Sequence, residues 1–444
     1  MKKKKIIFLV DHKHRDFPSI ALIGYFLEKK GHKVFFKRIH EPEVDIINPD
    51  VIVEAKYSRP QTYINKIEKW QKKNIRVVVM ETEGIIQWKG FVPLMNYKPD
   101  FCFFWNENHG YAYDKEFYKD KIAVLGCPRS DFLHKNFKKL SSRNILLKDL
   151  NLNTNRKIVT LATPNSYEDL PEEKLLNIKK RYYEVHKSRT TFETLLSHMI
   201  ESRKSIKNFC LEFSKSKINC ILIIKPHPNE NINFWLNFIN NLNDDRIKVM
   251  IGKTIQELLS ISDLHIAKTG CLTLPEAALS NINSIEILST NNFAKEIFYS
   301  DHMKLGTYNV QNFIEIKDEF EDIVNGNIPL KTKEKHEILI NRYIDKFFKF
   351  HDGRRCFEYA KVFQGYLETE SNFQKKSFFL INIHSFLYSI LIKFLKKNYR
   401  LLKNGNNKLI DNRGRFDNRI SESDKKKLFS KFDKLEYVQN LINK

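Results

Sequence analysis

Three short stretches of this 444-residue chain place reactive side chains directly after an apolar run. The first is Ile221-Leu222-Ile223-Ile224-Lys225-Pro226-His227-Pro228. Two prolines restrict the backbone on either side of His227 and present its ring in a defined direction. A histidine held this way can hydrogen-bond a phosphate oxygen or protonate a leaving group, and Lys225 adds a positive charge beside it. The same turn could equally do no more than terminate a strand. The second stretch runs Leu264-His265-Ile266-Ala267-Lys268-Thr269-Gly270-Cys271-Leu272-Thr273-Leu274-Pro275-Glu276-Ala277 and reads as strand, small-residue loop and helix. Gly270 and the hydroxyls of Thr269 and Thr273 would line a helix N-terminus, where unpaired N–H groups favour a phosphate, and Glu276 could accept from ribose hydroxyls. Alternatively Thr269 or Thr273 is only an N-cap, with Glu276 as its capping-box partner. The third, Val77-Val78-Val79-Met80-Glu81-Thr82-Glu83-Gly84, ends a strand in acids, either of which could deprotonate an attacking hydroxyl.

The elements that must position these residues follow a repeating rhythm. Apolar runs at Ile6–Val10, Val34–Phe36, Val51–Val53, Ile75–Met80, Phe101–Trp105 and Ile122–Leu125 read as strands, with helix-like stretches at Ser19–Lys30 and Tyr63–Lys73 between them. The rhythm restarts at Ile158–Leu161. It continues through Cys220–Ile224, Ile247–Ile251, Leu264–Ala267 and Ile285–Leu288, with helices near Thr191–Ser216, Phe234–Leu242, Ile255–Ser260 and Leu274–Leu279. Continuous apolar strands separated by helices imply parallel sheets covered on both faces, and ligands of such sheets gather beyond the strands' carboxyl ends. The expected architecture is α/β: one Rossmann-like unit over 1–145, a second over 146–370 closed by a helix at Arg354–Leu367, and a helical extension over 371–444.

Composition bounds the alternatives. With 42% hydrophobic and 13% aromatic residues the chain should fold, and 76 Lys and Arg against 53 Asp and Glu leave a charge of +23 that favours anionic partners. Residues 371–444 carry 17 Lys and Arg against 6 Asp and Glu. Within them the uncharged stretch Phe378–Ile392, flanked by Lys375-Lys376 and Lys396-Lys397, is too short and polar to span a bilayer and suits a helix lying on an anionic membrane surface; the alternative is a helix packed on the protein. Six cysteines, with no Cys-x-x-Cys pair, support neither a disulfide framework nor a zinc site. The five-residue apolar run after the N-terminal lysines is too short for a signal-peptide core. Together these predict a cytoplasmic protein, peripheral on the inner membrane face, with no metal and no cofactor. No strand leads into a DxD, and Asp244-Asp245 precedes one, so a divalent-metal clamp is not indicated.

The order Glu81-Thr82-Glu83-Gly84, Gly126-Cys127-Pro128-Arg129-Ser130-Asp131, Lys225-Pro226-His227-Pro228, then Thr269-Gly270-Cys271-Leu272-Thr273 with Pro275-Glu276-Ala277 resembles bacterial surface-polysaccharide biosynthesis proteins. Their wider relatives include capsule Kdo transferases, bacterial sialyl- and polysialyltransferases and teichoic-acid glycerophosphotransferases. The resemblance covers about residues 5 to 365. It implies a GT-B glycosyltransferase with an acceptor site in the first unit, a nucleotide-sugar donor site in the second and catalysis between them. On that resemblance the base falls on Glu83, with Glu81 second, where relatives carry an acidic-acidic-Gly motif and this chain has Thr82 in the first acidic place. Donor contacts fall on Lys225, His227, Pro228, Thr269, Gly270, Thr273 and Glu276, while Lys268 and Cys271 stand where relatives carry small polar or hydroxyl residues. Asp352-Gly353 matches the turn before the family's last helix. The partners the resemblance implies are a nucleotide-sugar donor, CMP-linked as in the CMP-sugar relatives, and a glycan or lipid-linked acceptor. Rival readings are glycerol-phosphate transfer from a CDP-activated donor, a nucleotide-sugar epimerase, a catalytically silent assembly partner, and nucleic-acid binding, the last supported by charge alone.

Overall fold

The computed structural model describes residues 3–38, 41, 43–85, 95–107, 119–140, 143–152, 155–185, 191–289, 293–369 and 420–443. Among these residues twelve strands form two sheets of six, all parallel. The first contains β1 (Lys5–Leu9), β2 (Lys33–Lys37), β3 (Val51–Glu54), β4 (Arg76–Met80), β5 (Phe101–Phe104) and β6 (Ile122–Val124), in the order β2-β1-β3-β4-β5-β6. The second contains β7 (Lys157–Ala162), β8 (Cys220–Lys225), β9 (Ile247–Val249), β10 (Leu264–Lys268), β11 (Asn283–Ile287) and β12 (Tyr308–Val310), in the order β12-β11-β10-β7-β8-β9. The central strands are buried along nearly their whole length, which is why they read as unbroken apolar runs rather than as alternating ones.

In each sheet the strand order reverses once, between β1 and β3 in the first and between β7 and β10 in the second. At such a point adjacent connections leave to opposite faces and open a crevice beyond the carboxyl ends. The loops that carry His12, Arg15 and Lys56 leave β1 and β3, whereas Thr163 and Thr269-Gly270 follow β7 and β10.

The sequence-based division differs from the packing at the C-terminal side. The helix Arg355–Thr369, within the stretch assigned to the second unit, buries Cys356, Tyr359, Phe363 and Leu367 against Ile6, Phe8 and Phe103 of the first sheet and the helix Phe17–Lys29. Helical periodicity shows that one face is apolar but not which sheet it will meet. Two further helices, Glu422–Asp433 and Glu436–Ile442, pack on the same cluster through Phe432, Leu435, Val438 and Leu441. For these residues the packed-helix alternative describes the structure. The stretch Phe378–Ile392 lies outside the described residues. No described helix is long and apolar enough to cross a membrane.

The two sheets share an apolar cluster in which Ile85, Trp105 and Cys127 meet Ala162, Ala267, Leu274 and Ala277, together with Tyr343 and Phe347 from the helix Leu330–Phe347. A polar clasp fastens the returning chain to the first unit. The buried Asp131 carboxylate accepts from the main-chain N–H groups of Arg355 (2.9 Å) and Cys356 (2.7 Å), satisfying donors at the start of the last helix of the described globular part. The Gly126-to-Asp131 motif and the Asp352-Gly353 turn are thus parts of one joint.

Candidate functional site

On the first sheet, the acidic motif after β4 is met by two cations from neighbouring loops. Arg15 Nη1 donates to Glu83 Oε1 at 2.5 Å and Lys56 Nζ to Glu83 Oε2 at 3.1 Å. Burial alone would raise the Glu83 pKa, but the Lys56 and Arg15 charges outweigh it and hold the carboxyl well below its ordinary range. Its side chain nevertheless keeps 45% of its surface open. Glu81 behaves oppositely: it is buried, its Oε1 accepts the Glu83 N–H at 2.9 Å, and burial pushes its pKa up to about 7. Thr82 turns inward and donates to the Ala55 carbonyl. Gly84 is required by proximity, because a Cβ there would lie 2.2 Å from Trp105 Cγ.

Arg15 also forks onto Asp16, at 2.8 Å and 2.9 Å. Asp16 in turn lies 3.9 Å from Arg129 Nη1, and Arg129 Nη2 lies 3.7 Å from Glu276 of the second sheet's loop. An alternating line of charge, Glu83, Arg15, Asp16, Arg129 and Glu276, therefore joins three of the four motifs across the two units. Its shortest contacts are within the first unit, and its longest are the two at Arg129. That guanidinium is nearly buried over the Trp105 ring, with its centre 5.0 Å from the ring centroid, and its Nε has no hydrogen-bond partner.

On the second sheet, His227 is anchored by its main chain. Its N–H meets Thr163 Oγ1 at 2.9 Å and Glu230 Oε2 at 3.1 Å, and its Nδ1 accepts from the Asn229 N–H at 3.2 Å. The ring is only partly covered, with Pro228 half-buried beside it. Burial above all, with the His12 and Arg15 charges next, Glu83 opposing and Lys225 adding, brings the His227 pKa down to about 3. Those first-unit groups bear on His227 because the two strand-end loops face each other. Lys225 is buried, and burial lowers its pKa to about 8.

The Thr269-to-Thr273 loop is more committed to the fold than its sequence suggests. Thr269 Oγ1 donates to the Ile287 carbonyl at 3.4 Å, and Thr273 Oγ1 pairs with the buried His265 Nε2 at 2.7 Å and with Cys271 Sγ at 3.1 Å. Neither threonine caps the helix Thr273–Leu279, whose N-cap is Leu272 with no side-chain bond, so the capping-box alternative is not realised. Gly270 has φ +78°, and a Cβ there would meet Phe298 Cζ at 2.5 Å, so both backbone and space demand glycine. Burial raises the Glu276 pKa, against the pull of Arg129 and Arg15.

Sequence reasoning singled out neither His12, Arg15, Lys56 nor Glu230. The signal for the first two was their place after the first apolar run, inside a charged stretch. Lys56 carries no local mark, since its role depends on strand order, whereas Glu230 stands three residues after His227, in the same turn. Among the described residues, no three His, Cys, Asp or Glu side chains are grouped to hold a metal ion.

No protein-family model matches this sequence, and no curated protein does. Solved structures do match in fold. The wall teichoic acid polymerase TagF superposes with a TM-score of 0.53 at 13% identity, over 83% of this chain and 90% of that chain. The fold is GT-B-like. A TagF variant soaked with CDPG gives 0.52, again at 13% identity, with 83% of this chain and 90% of that chain covered. A putative UDP-N-acetylglucosamine 2-epimerase from Listeria monocytogenes aligns at 0.47 and 12% identity, over 85% of this chain and 99% of that chain.

Proposed function

We propose that this chain is a glycosyltransferase of surface-glycan assembly, moving a sugar from a nucleotide-activated donor to a glycan or lipid-linked acceptor. The observation that supports it is the meeting of two strand-end motifs across the units: the His227 turn of the second sheet lies within electrostatic reach of His12, Arg15 and Glu83 of the first. In this reading His227, Lys225 and the main chain around Pro228 and Gly270 receive the donor's phosphates, and Glu276 lies at the donor side of the interface. A neutral His227 can donate one hydrogen bond to a phosphate oxygen without needing a charge. Glu83, exposed and ionised, faces the acceptor hydroxyl, and Glu81 holds its main chain from behind. No metal or cofactor takes part in this reading.

A second reading is glycerol-phosphate transfer from a CDP-activated donor. It is favoured by the fold likeness to TagF, a variant of which was soaked with CDPG. The two differ in which bond breaks. Glycosyl transfer leaves all phosphorus on the departing nucleotide, whereas glycerol-phosphate transfer delivers one phosphorus to the acceptor and releases CMP. Incubation with CMP-, UDP- and GDP-sugars and with CDP-glycerol, followed by mass measurement of an extended acceptor, tests both. An acceptor mass increased by a sugar residue supports the first reading. An increase by glycerol phosphate moves the assignment to the second.

Membrane docking through residues 371–419 belongs to the same proposal and rests on sequence alone. Lysines flanking an uncharged aromatic stretch gain roughly 1 kcal/mol each near anionic lipid. Binding to liposomes should require anionic lipid and weaken as salt rises. Equal binding to neutral vesicles removes the docking role.

A further inference from the structure

Behind the His227 turn lies a buried acid that touches neither of the proposed substrates. Glu230 is fully buried, and its Oε2 gathers three donors: the His227 N–H at 3.1 Å, the Trp235 indole N–H at 3.1 Å, and the Thr163 hydroxyl. Each comes from a different part of the unit. Thr163 follows β7, Trp235 belongs to the helix Ile232–Leu242, and His227 follows β8. The other oxygen, Oε1, has no hydrogen bond and faces Arg203 Nε at 3.5 Å, itself without a hydrogen bond. Arg203 is fully buried in the helix Phe192–Lys215, stacked 3.6 Å from the Phe234 ring centroid and held by Asp169 at 2.6 Å and Glu168 at 3.4 Å.

We infer that Glu230, backed by Arg203, is the positioning residue of His227: it fixes the turn by its main chain so that the imidazole is held at the interface of the two units. The inference rests on the reading that His227 serves the donor site. A buried carboxylate is costly, and one that accepts three bonds and faces a guanidinium is justified by what it orders. The two prolines stiffen the turn but leave its direction open. Thr163 and Glu230 supply that direction, since the His227 N–H is offered to both. Burial raises the Glu230 pKa to about 7, while Thr163, Arg203, His227 and Trp235 pull it back.

The test follows the His227 imidazole by NMR in the full-length protein, its signal assigned with His227→Gln. The groups that bear on its titration are His12, Arg15, Glu83 and Lys225. In the wild type it should remain neutral to near pH 3. In Glu230→Ala, and more mildly in Glu230→Gln and Thr163→Val, the released turn lets water reach the ring, and the midpoint should rise by roughly one unit or more toward 6.5. Glu230→Gln keeps an oxygen for the three donors but sets an amide N–H against Arg203, so it disturbs the Arg203 side of the cluster while leaving the acceptor in place. If Glu230→Ala does not fold, Glu230→Gln and Thr163→Val carry the test. An unchanged midpoint in these two folded variants overturns the inference. The melting-temperature rise produced by CDP is measured in parallel and should shrink at least severalfold in the variants. Failure of CDP, CMP, UDP and GDP to stabilise the wild type would count against the donor reading alone, since the titration needs no ligand.

Discussion

Glu83 sits between two cations, and this decides what it can do. At 2.5 Å from Arg15 and 3.1 Å from Lys56 it is ionised at every working pH, but the same charges make it a weaker base than a free carboxylate. Its replacement by Gln removes both the proton acceptor and the charge that gathers Arg15 and Lys56. Turnover should fall by about 10²–10⁴ with nucleotide binding retained, measured as kcat against the nucleotide-induced rise in Tm. A larger loss in Glu81→Gln would move the proton to the buried acid. The sequence displayed both glutamates because only Thr82 separates them, and concealed their difference because it is made by Arg15 and Lys56, from the loops after β1 and β3. His265 offers a pH test of another kind. It is fully buried between Thr160 and Thr273, and burial lowers its pKa to about 3. Since the folded value lies below the unfolded one, the neutral ring's contribution is complete above about pH 6.5 and is lost as pH falls toward 3. His265→Gln should therefore show a shallower decline of Tm with acidification between pH 6.5 and 4.5 than the wild type. Parallel slopes would mean that the ring is not neutral when buried.

Eleven of the twelve strands announce themselves as apolar runs, because strands buried on both faces have little room for polar residues. β12 escapes: it has three residues, Tyr308, Asn309 and Val310, and Asn309 is exposed. Helix placement was the less legible part. The apolar faces of Arg355–Thr369 and of the two C-terminal helices could have met either sheet, and only the assembled surface of the first unit decides. Glu422–Asp433 and Glu436–Ile442 are tied there by Lys13–Asp424 at 2.8 Å, by Tyr25 Oη donating to Asp433 at 2.6 Å and by the buried Phe432, Leu435, Val438 and Leu441. Burying such side chains fully is worth about 1.5–3 kcal/mol each. Deleting residues 420–444 should lower Tm by several degrees or more, and calorimetry on the truncated chain checks it. An unchanged Tm would show these helices to be passengers. Likewise Asp131→Ala strands the N–H groups of Arg355 and Cys356, each at a cost of about 1–3 kcal/mol, and should lower the denaturant midpoint of the whole chain.

Two parallel sheets, each with a reversal of strand order, face each other through the loops that carry every motif singled out from the sequence, and a shared apolar cluster ties them together, while the Asp131 joint fastens the helix Arg355–Thr369 to the first unit. Motif order and strand rhythm suffice to anticipate that arrangement, because each motif directly follows its strand. What they leave out is the line of charge from Glu83 through Arg15, Asp16 and Arg129 to Glu276, whose last link forms only once the sheets are apposed. If this apposition forms the proposed nucleotide-donor site, ligand binding to the native state must raise the melting temperature. The direct measurement is a thermal-shift comparison of the full-length wild type and His227→Ala with CMP, CDP, UDP and GDP. At least one nucleotide should stabilise the wild type by several degrees, and His227→Ala, melting alone at nearly the same temperature, should lose most of that shift. No shift from any nucleotide, or an equal shift in the variant, would contradict the proposed donor site.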